Sequence, residues 1–211
     1  MTVRPFPPAE TPDAVRLAAR AFADDPLFRF VYPDPARRLA GFAREHTAYM
    51  RHYYRPYGVC EAAYLDGAMA GMALWLPPNT DPPAWREWAT FPTLAQTVGL
   101  RRLQTVIRAY HAFDHAMPEQ PFWYLGLLAV APEVQGAGVG SSLVRAGLAR
   151  ADRDGVGSFL ETGTAANVAF YQRLGFTVTE EIPLPGGGPT HWGMWRQPGN
   201  GPARTGTADR P

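Results

Sequence analysis

The chain has 211 residues, 46% of them hydrophobic and 18% charged, with a formal net charge of +1; this suits one globular domain and gives no basic footprint for a nucleic-acid or membrane surface. All 20 basic residues are Arg, so the phosphate-binding lysine of a P-loop and Schiff-base chemistry on a side-chain amine are excluded. Cys60 is the single cysteine, which excludes an intramolecular disulfide and a multi-cysteine metal site.

Residues 2–6 form a short strand by pattern, and Thr11 to Ala23 a helix with Val15, Leu17, Ala18 and Phe22 on its apolar side. "DDP" breaks it, and a second helix starts at Asp34 and Pro35 and runs through "RRLAGFAREHTAYMRHYY". "GVCEAAYLDGAMAGMALWLPP" predicts two strands joined at Asp66-Gly67, a pair that favours a tight hairpin turn. Residues 82–118 read as helical, with Leu103, Val106, Ile107, Tyr110, Phe113 and Met117 on one face. "FWYLGLLAV" is a continuous apolar run, the pattern of a strand buried on both sides. After it come a helix to Arg153, a strand "SFLET", a helix "AANVAFYQRL" ended by Gly175, and two strands over 176–180 and 191–196. From Gln197 onward the composition is that of a disordered tail. No signal-type apolar segment opens the chain and no run approaches the about 18 apolar residues of a membrane span, so a cytoplasmic protein is expected.

Between the buried strand and its helix stands "VQGAGVGSSLV", with glycines at alternate positions 136, 138 and 140. Glycine lets the main chain approach a ligand without a Cβ in the way, and the first helical turn has unpaired N–H groups, so the stretch suits a phosphate or pyrophosphate. A turn that merely needs positive φ is the bland alternative. A dinucleotide-binding turn fits less well, because "APEVQ" intervenes between strand and glycines and Ser141 stands at the third motif position.

"LAVAPEVQGAGVGSSLV" followed by "FLETGTAANVAFYQRLGFTV" resembles the acyl-CoA site of the GCN5-related N-acetyltransferases (GNAT), whose Q/R-x-x-G-x-G/A signature falls here on Gln135, Gly138 and Gly140. The resemblance covers residues 122–180 well and the N-terminal half only in its order of elements. "FLET", "FYQRLGFTVT", "HWGMWRQPG", "FADDP" and Trp75 further resemble the puromycin-type antibiotic acetyltransferases. The implied fold is a single α/β domain, residues 1–196, with a mixed, mostly antiparallel sheet flanked by helices.

The resemblance implies acetyl-CoA as acyl donor and no metal. Main-chain N–H groups of Gln135, Gly136, Ala137, Gly138, Val139, Gly140 and Ser141 would hold the pyrophosphate. The backbone of Leu128, Ala129 and Val130 would align the pantetheine arm, with Val130 N–H polarising the thioester carbonyl. Tyr171 matches the general acid that protonates the leaving thiolate. Asn167, one turn earlier, would accompany it at the pantetheine. A general base is also required, since an alkylamine is protonated near neutrality; Glu161, ending a strand beside the cofactor, is the first candidate, ahead of Asp24 and Asp25.

His111 and His115 have i, i+4 spacing but lack the HExxH glutamate, and their helical angles make them surface residues. His191 could line an acceptor pocket or simply pack. Phe28, Phe30, Tyr32, Trp75, Trp85, Trp88 and Trp123 would suit a bulky, partly aromatic amine if several of them lined the cleft. Cys60 lacks a recognisable base partner, which favours direct transfer over a covalent acyl-enzyme. The expected activity is acetylation of a primary amine on a small molecule, in its most specific form an antibiotic, by a monomer or homodimer. A non-catalytic acyl-CoA sensor and a protein or peptide N-acetyltransferase are the alternatives.

Overall fold

Asp66 and Gly67 both take positive φ, 49° and 83°, the conformation a two-residue hairpin turn requires, and they join β2 (Val59–Leu65) to β3 (Ala68–Leu76). The structure, a computed structural model, describes residues 1–80 and 83–199. To this hairpin are added β1 (Thr2–Pro5), β4 (Phe122–Val130), β5 (Gly157–Thr162), β6 (Thr177–Pro183) and β7 (Thr190–Arg196). They form one seven-stranded sheet in the order β1-β2-β3-β4-β5-β7-β6. Every neighbouring pair is antiparallel except β4 and β5, as expected for a mixed, mostly antiparallel sheet.

A parallel pair needs a crossover. It is supplied by the glycine loop and α7 (Val139–Asp154), which brings the N-terminus of α7 to the end of β4. α7 and α8 (Ala165–Gln172) cover one face of the sheet, over a core that includes Trp75, Leu143, Leu160, Tyr171 and Phe176. A Cβ on Gly147 would collide with the Trp75 indole, so the glycine is what lets α7 settle on this ring. Arg150 of α7 clamps the buried Glu61 of β2 through two hydrogen bonds of 2.6 and 2.8 Å.

The opposite face is covered by α1 (Thr11–Ala21), α2 (Pro26–Val31), α3 (Pro35–Tyr49), α4 (Arg55–Tyr57), α5 (Ala84–Val98) and α6 (Leu100–Ala116). Phe6, Leu17, Phe42, Val106 and Leu127 belong to its core. Each such large side chain contributes roughly 1.5–3 kcal/mol by leaving water.

Four details differ from the sequence pattern. "DDP" does end α1, but Asp25 then caps a further helix, α2, accepting from Leu27 N at 2.8 Å and Phe28 N at 3.3 Å. The expected helix over 82–118 is two helices broken at Gly99, whose φ is 78°; its expected first residue, 82, lies outside the described residues. Burial alternates along β4 instead of being continuous, because Phe122 and Tyr124 border a cavity and Leu128 and Val130 border a gap in the sheet. Residues 200–211 of the expected tail lie outside the described residues, while Gly199 N donates to Asp152 Oδ1 at 2.6 Å. Among the described residues no helix is long and apolar enough to cross a membrane.

Candidate active site

β4 and β5 pair only over Phe122↔Gly157, Trp123↔Ser158 and Tyr124↔Phe159. Beyond that point the strands separate, although β4 continues to Val130 and β5 to Thr162. On the other side β4 stays in register with β3 as far as Gly71↔Val130, and Ala131 N donates to Ala70 O at 2.9 Å. In an antiparallel ladder this makes Gly71↔Val130 a non-hydrogen-bonded pair. By alternation, the N–H groups of Val130 and Leu128 point away from β3 into the gap, and that of Ala129 points to β3.

The glycine loop closes the wide end of this gap. Gly136 and Gly138 take φ of 81° and 83°, and a Cβ on either would meet nothing within 4 Å, so the space above the loop is open. Gly140 is different: a Cβ there would lie 3.4 Å from Val130 Cγ2 and 3.5 Å from Phe170 Cζ, which seats α8 against the start of α7. Ala137 N is engaged with Val134 O at 3.3 Å and Gln135 N with Pro132 O at 3.5 Å. The loop amides left for a ligand are therefore Gly136, Gly138, Val139, Gly140 and Ser141, a narrower set than the motif implies. Gln135 instead donates its side-chain Nε2 to Val130 O at 3.3 Å, tying the loop to the strand end. Val139 contributes main chain only, its side chain being buried in the core.

Tyr171 stands on α8, buried against Phe170 and Phe176 at ring-centroid separations of 4.9 and 5.7 Å. Burial pushes its phenol well above the ordinary tyrosine range, so it stays protonated. Asn167 is exposed one turn earlier, its main-chain N–H accepted by the Thr164 hydroxyl that caps the helix.

Glu161 is on β5, on the face opposite Leu160, together with Phe159 and the aromatic residues Phe122 and Tyr124. Tyr171 belongs to the Leu160 face. The acid and base candidates thus flank the gap from opposite faces of the sheet. Tyr124 Oη donates to Glu161 Oε2 at 2.8 Å, and Oε1 is buried without a partner. Burial, reinforced by the negative charges of Asp114 and Glu180 and opposed by the Tyr124 hydrogen bond, pushes the carboxyl up to about 7.

Tyr124 also lines a cavity of about 540 Å³ between β4, α3 and α6. Its wall includes Tyr49, Tyr53, Tyr54, Tyr110, Phe113 and the carboxylates Glu45, Asp114 and Glu119, with no arginine among the described residues. Tyr53 and Tyr54 are delivered by a π-helical segment, Met50–Tyr54, between α3 and α4, a geometry that recurs at functional sites. The Tyr54 hydroxyl lies so close to Gly126 that a Cβ there would overlap it; Gly126 is also the residue skipped where the β3–β4 register shifts.

The other residues singled out from the sequence fall elsewhere. Asp24 is an exposed partner of Arg29 at 2.7 Å, and Asp25 is the α2 cap. His111 pairs with Asp114 at 3.4 Å on the surface, and His115 is exposed. His191 packs edge-on against Phe113 at 5.1 Å, and a Cβ on Gly163 would reach its Nε2 at 2.6 Å. Among the aromatics expected at the cleft only Phe28 lines it. Trp75 is core, Trp123 is fixed by its Nε1 donating to Asp154 at 2.9 Å, and Trp85 and Trp88 are exposed on α5. Sequence pattern does not single out the cavity's tyrosines as site residues. Cys60 is buried in β2, and burial holds its thiol up at about 11. Among the described residues no group of three or more His, Cys, Asp or Glu side chains is arranged to hold a metal.

A sequence model of the Acetyltransferase (GNAT) family matches residues 20–176. Of solved structures, one described as histone acetyltransferase HPA2 and related acetyltransferase from Corynebacterium glutamicum is 27% identical, with a TM-score of 0.73, over 94% of this chain and 96% of that one. The Drosophila melanogaster polyamine N-acetyltransferase matches at 15% identity and a TM-score of 0.59 over 93% and 99%. Arylalkylamine N-acetyltransferase 2 from Aedes aegypti matches at 13% and 0.59 over 94% and 99%. The split between β4 and β5, the glycine loop at its wide end and a match over most of the chain converge: the protein belongs to the GNAT family and is an N-acetyltransferase.

Proposed function

We propose that the protein transfers acetyl from acetyl-CoA directly to a primary amine of a small, cationic acceptor bound in the cavity beside Tyr124. The observation that carries this reading is the wall of that cavity, which combines tyrosine and phenylalanine rings with carboxylates and, among the described residues, has no arginine. Ring faces and carboxylates both favour a cation. His46, also on the wall, is held neutral by burial, which lowers it to about 4.

The residues present fit the donor. Unpaired N–H groups of Leu128 and Val130 suit an extended pantetheine arm laid along β4, and the open space over Gly136 and Gly138 suits the pyrophosphate. Bound acetyl-CoA supplies an activated thioester. Leu128 or Val130 N–H polarises the carbonyl under attack. Tyr171, protonated at all working pH values, gives its proton to the departing sulfur. Glu161 takes the proton of the attacking amine through Tyr124, which lines the cavity and whose hydroxyl donates to the carboxylate. A thiol near 11 in the buried Cys60 gives no support to an acyl-enzyme.

Among acceptors, we favour an antibiotic-like amine, made harmless by acetylation in the cytoplasm. This rests on the sequence resemblance and on a cavity large enough for a drug-sized body. The test is release of thiol from acetyl-CoA against puromycin-like nucleosides, aminoglycosides, polyamines, arylalkylamines and a basic peptide. Turnover with small amines and not with the peptide supports the reading; turnover with the peptide alone replaces it by protein acetylation; acetyl-CoA binding without turnover on any acceptor supports a sensor.

The loop gives an independent check. Gly138→Ala forces a side chain into positive φ, costing about 1 kcal/mol, and puts a methyl into the open space above the loop. The KM for acetyl-CoA is expected to rise about tenfold with the acceptor KM unchanged. Gly140→Ala, whose Cβ makes ordinary contacts at 3.4 to 3.7 Å, is expected to change the acetyl-CoA KM by less than about threefold.

A further inference from the structure

Glu45 is the most enclosed carboxylate in the molecule's described part, at 1% exposure, yet it is only half satisfied. Tyr110 Oη donates to its Oε1 at 2.7 Å, and Oε2 has no partner. Leaving such an oxygen unpaired in the interior costs stability, and a purely structural partner for Tyr110 would not require a carboxylate. The neighbouring His46 does not neutralise it: that ring stacks on Phe42 at 3.7 Å with its Nδ1 on Phe42 O at 3.0 Å. Glu45, His46 and Tyr110 all line the cavity that also holds Tyr124.

α6 relates this position to the base. Tyr110, which holds Glu45, and Asp114, whose charge acts on Glu161, stand four residues apart on α6 and both line the cavity. Four residues advance about 6 Å along a helix. Glu161, reached through Tyr124, and Glu45, held by Tyr110, are thus two separate carboxylate positions of the cavity, beside Asp114 and Glu119 on its wall.

We propose that Glu45, positioned by Tyr110, binds a second cationic nitrogen of the acceptor, so that preferred substrates carry an ammonium or guanidinium a few carbons from the amine that is acetylated. This rests on the reading of the cavity as the acceptor site. Burial, which raises the Glu45 carboxyl to about 7, makes its charge responsive to such a ligand, because a cation set against it restores the carboxylate.

The test compares pentane-1,5-diamine with pentylamine on the CoA-bound protein and in turnover, for the natural chain and for Glu45→Gln. The substitution keeps the shape and still accepts from Tyr110. The natural chain is expected to prefer the diamine by at least roughly tenfold in kcat/KM and in Kd, the worth of one charge-assisted hydrogen bond. Glu45→Gln should erase that preference, through KM. Equal handling of the two amines by the natural chain, or a diamine preference that survives in Glu45→Gln, overturns the proposal while leaving the transferase intact. Diamine binding that is lost in Glu45→Gln, without thiol release on any amine, sustains the Glu45 site and overturns the transferase reading of the cavity. If that variant does not fold, Tyr110→Phe, which removes the hydrogen bond that positions Glu45, takes its place: a weakened diamine preference is expected, and an unchanged one overturns the proposal.

Discussion

Tyr171→Phe is expected to lower kcat by about 10² to 10³ while the KM for acetyl-CoA stays within about twofold, because one positioned proton donor is removed and no binding group is lost. The ring keeps its packing against Phe170 and Phe176, so the thermal midpoint should scarcely move. A loss of proton donation has a signature that mere repacking lacks. A donor thioester whose thiol is more acidic needs less protonation on leaving, so the deficit of the variant should shrink with an aryl thioester. Burial holds the phenol well above its ordinary range, so the acid contributes no limb to the pH–rate profile below about pH 10. Unchanged turnover on acetyl-CoA, or a deficit equal on both thioesters, would remove the acid role from Tyr171.

The glycine loop and the elements around it were legible in the sequence because they are made of backbone and local pattern. Three glycines after a buried strand require a loop with special φ, and two of them, Gly136 and Gly138, do take it. The strand, loop, helix and strand that surround them are sequential neighbours, so their order alone predicts that β4 and β5 run parallel through a crossover helix. The cavity beside Tyr124 was harder to read for the same physical reason in reverse. Its wall is assembled from α3, the π-helical segment, α6 and β4, which are distant in sequence. Tyr110 was already on the predicted apolar face of α6, and periodicity cannot tell a tyrosine that fills a core from one that presents its hydroxyl to a cavity. Glu45 did carry a signal: it follows Gly41 and Phe42 at helical spacing on the buried side of α3, and a charged residue on an apolar face calls for a partner. Trp75 and Trp123 are core, the default for rings of that size, and so say nothing about the acceptor.

Glu161→Gln carries the second large effect, on rate and stability in opposite directions. The side-chain amide of this variant cannot accept the amine proton passed by Tyr124, so kcat/KM for the acceptor should fall by about 10². In the natural enzyme the rate should rise with pH through about 7, where the Glu161 carboxyl loses its proton. In the variant that limb should vanish and be replaced by a rise near the pKa of the acceptor amine itself. The stability change follows from linkage. The folded-state value of about 7 lies above the ordinary 4.5, so the fold favours the protonated form. The stabilisation linked to that proton is fully present below pH about 4.5 and is lost as the pH rises through about 7. The amide mimics the neutral carboxyl at every pH. The variant's thermal midpoint should therefore exceed that of the natural enzyme at pH 8 and converge with it near pH 4.5; Glu45, which is raised in the same way, is present in both proteins and cancels. A slower, more stable enzyme at pH 8 is what a base held in an unfavourable environment requires, since the same desolvation that weakens the fold brings the carboxyl to a useful pKa. If Glu161→Gln retains the limb near pH 7, the base lies elsewhere in the cavity, and Glu45, raised to about 7 on the same wall, is the next residue to replace.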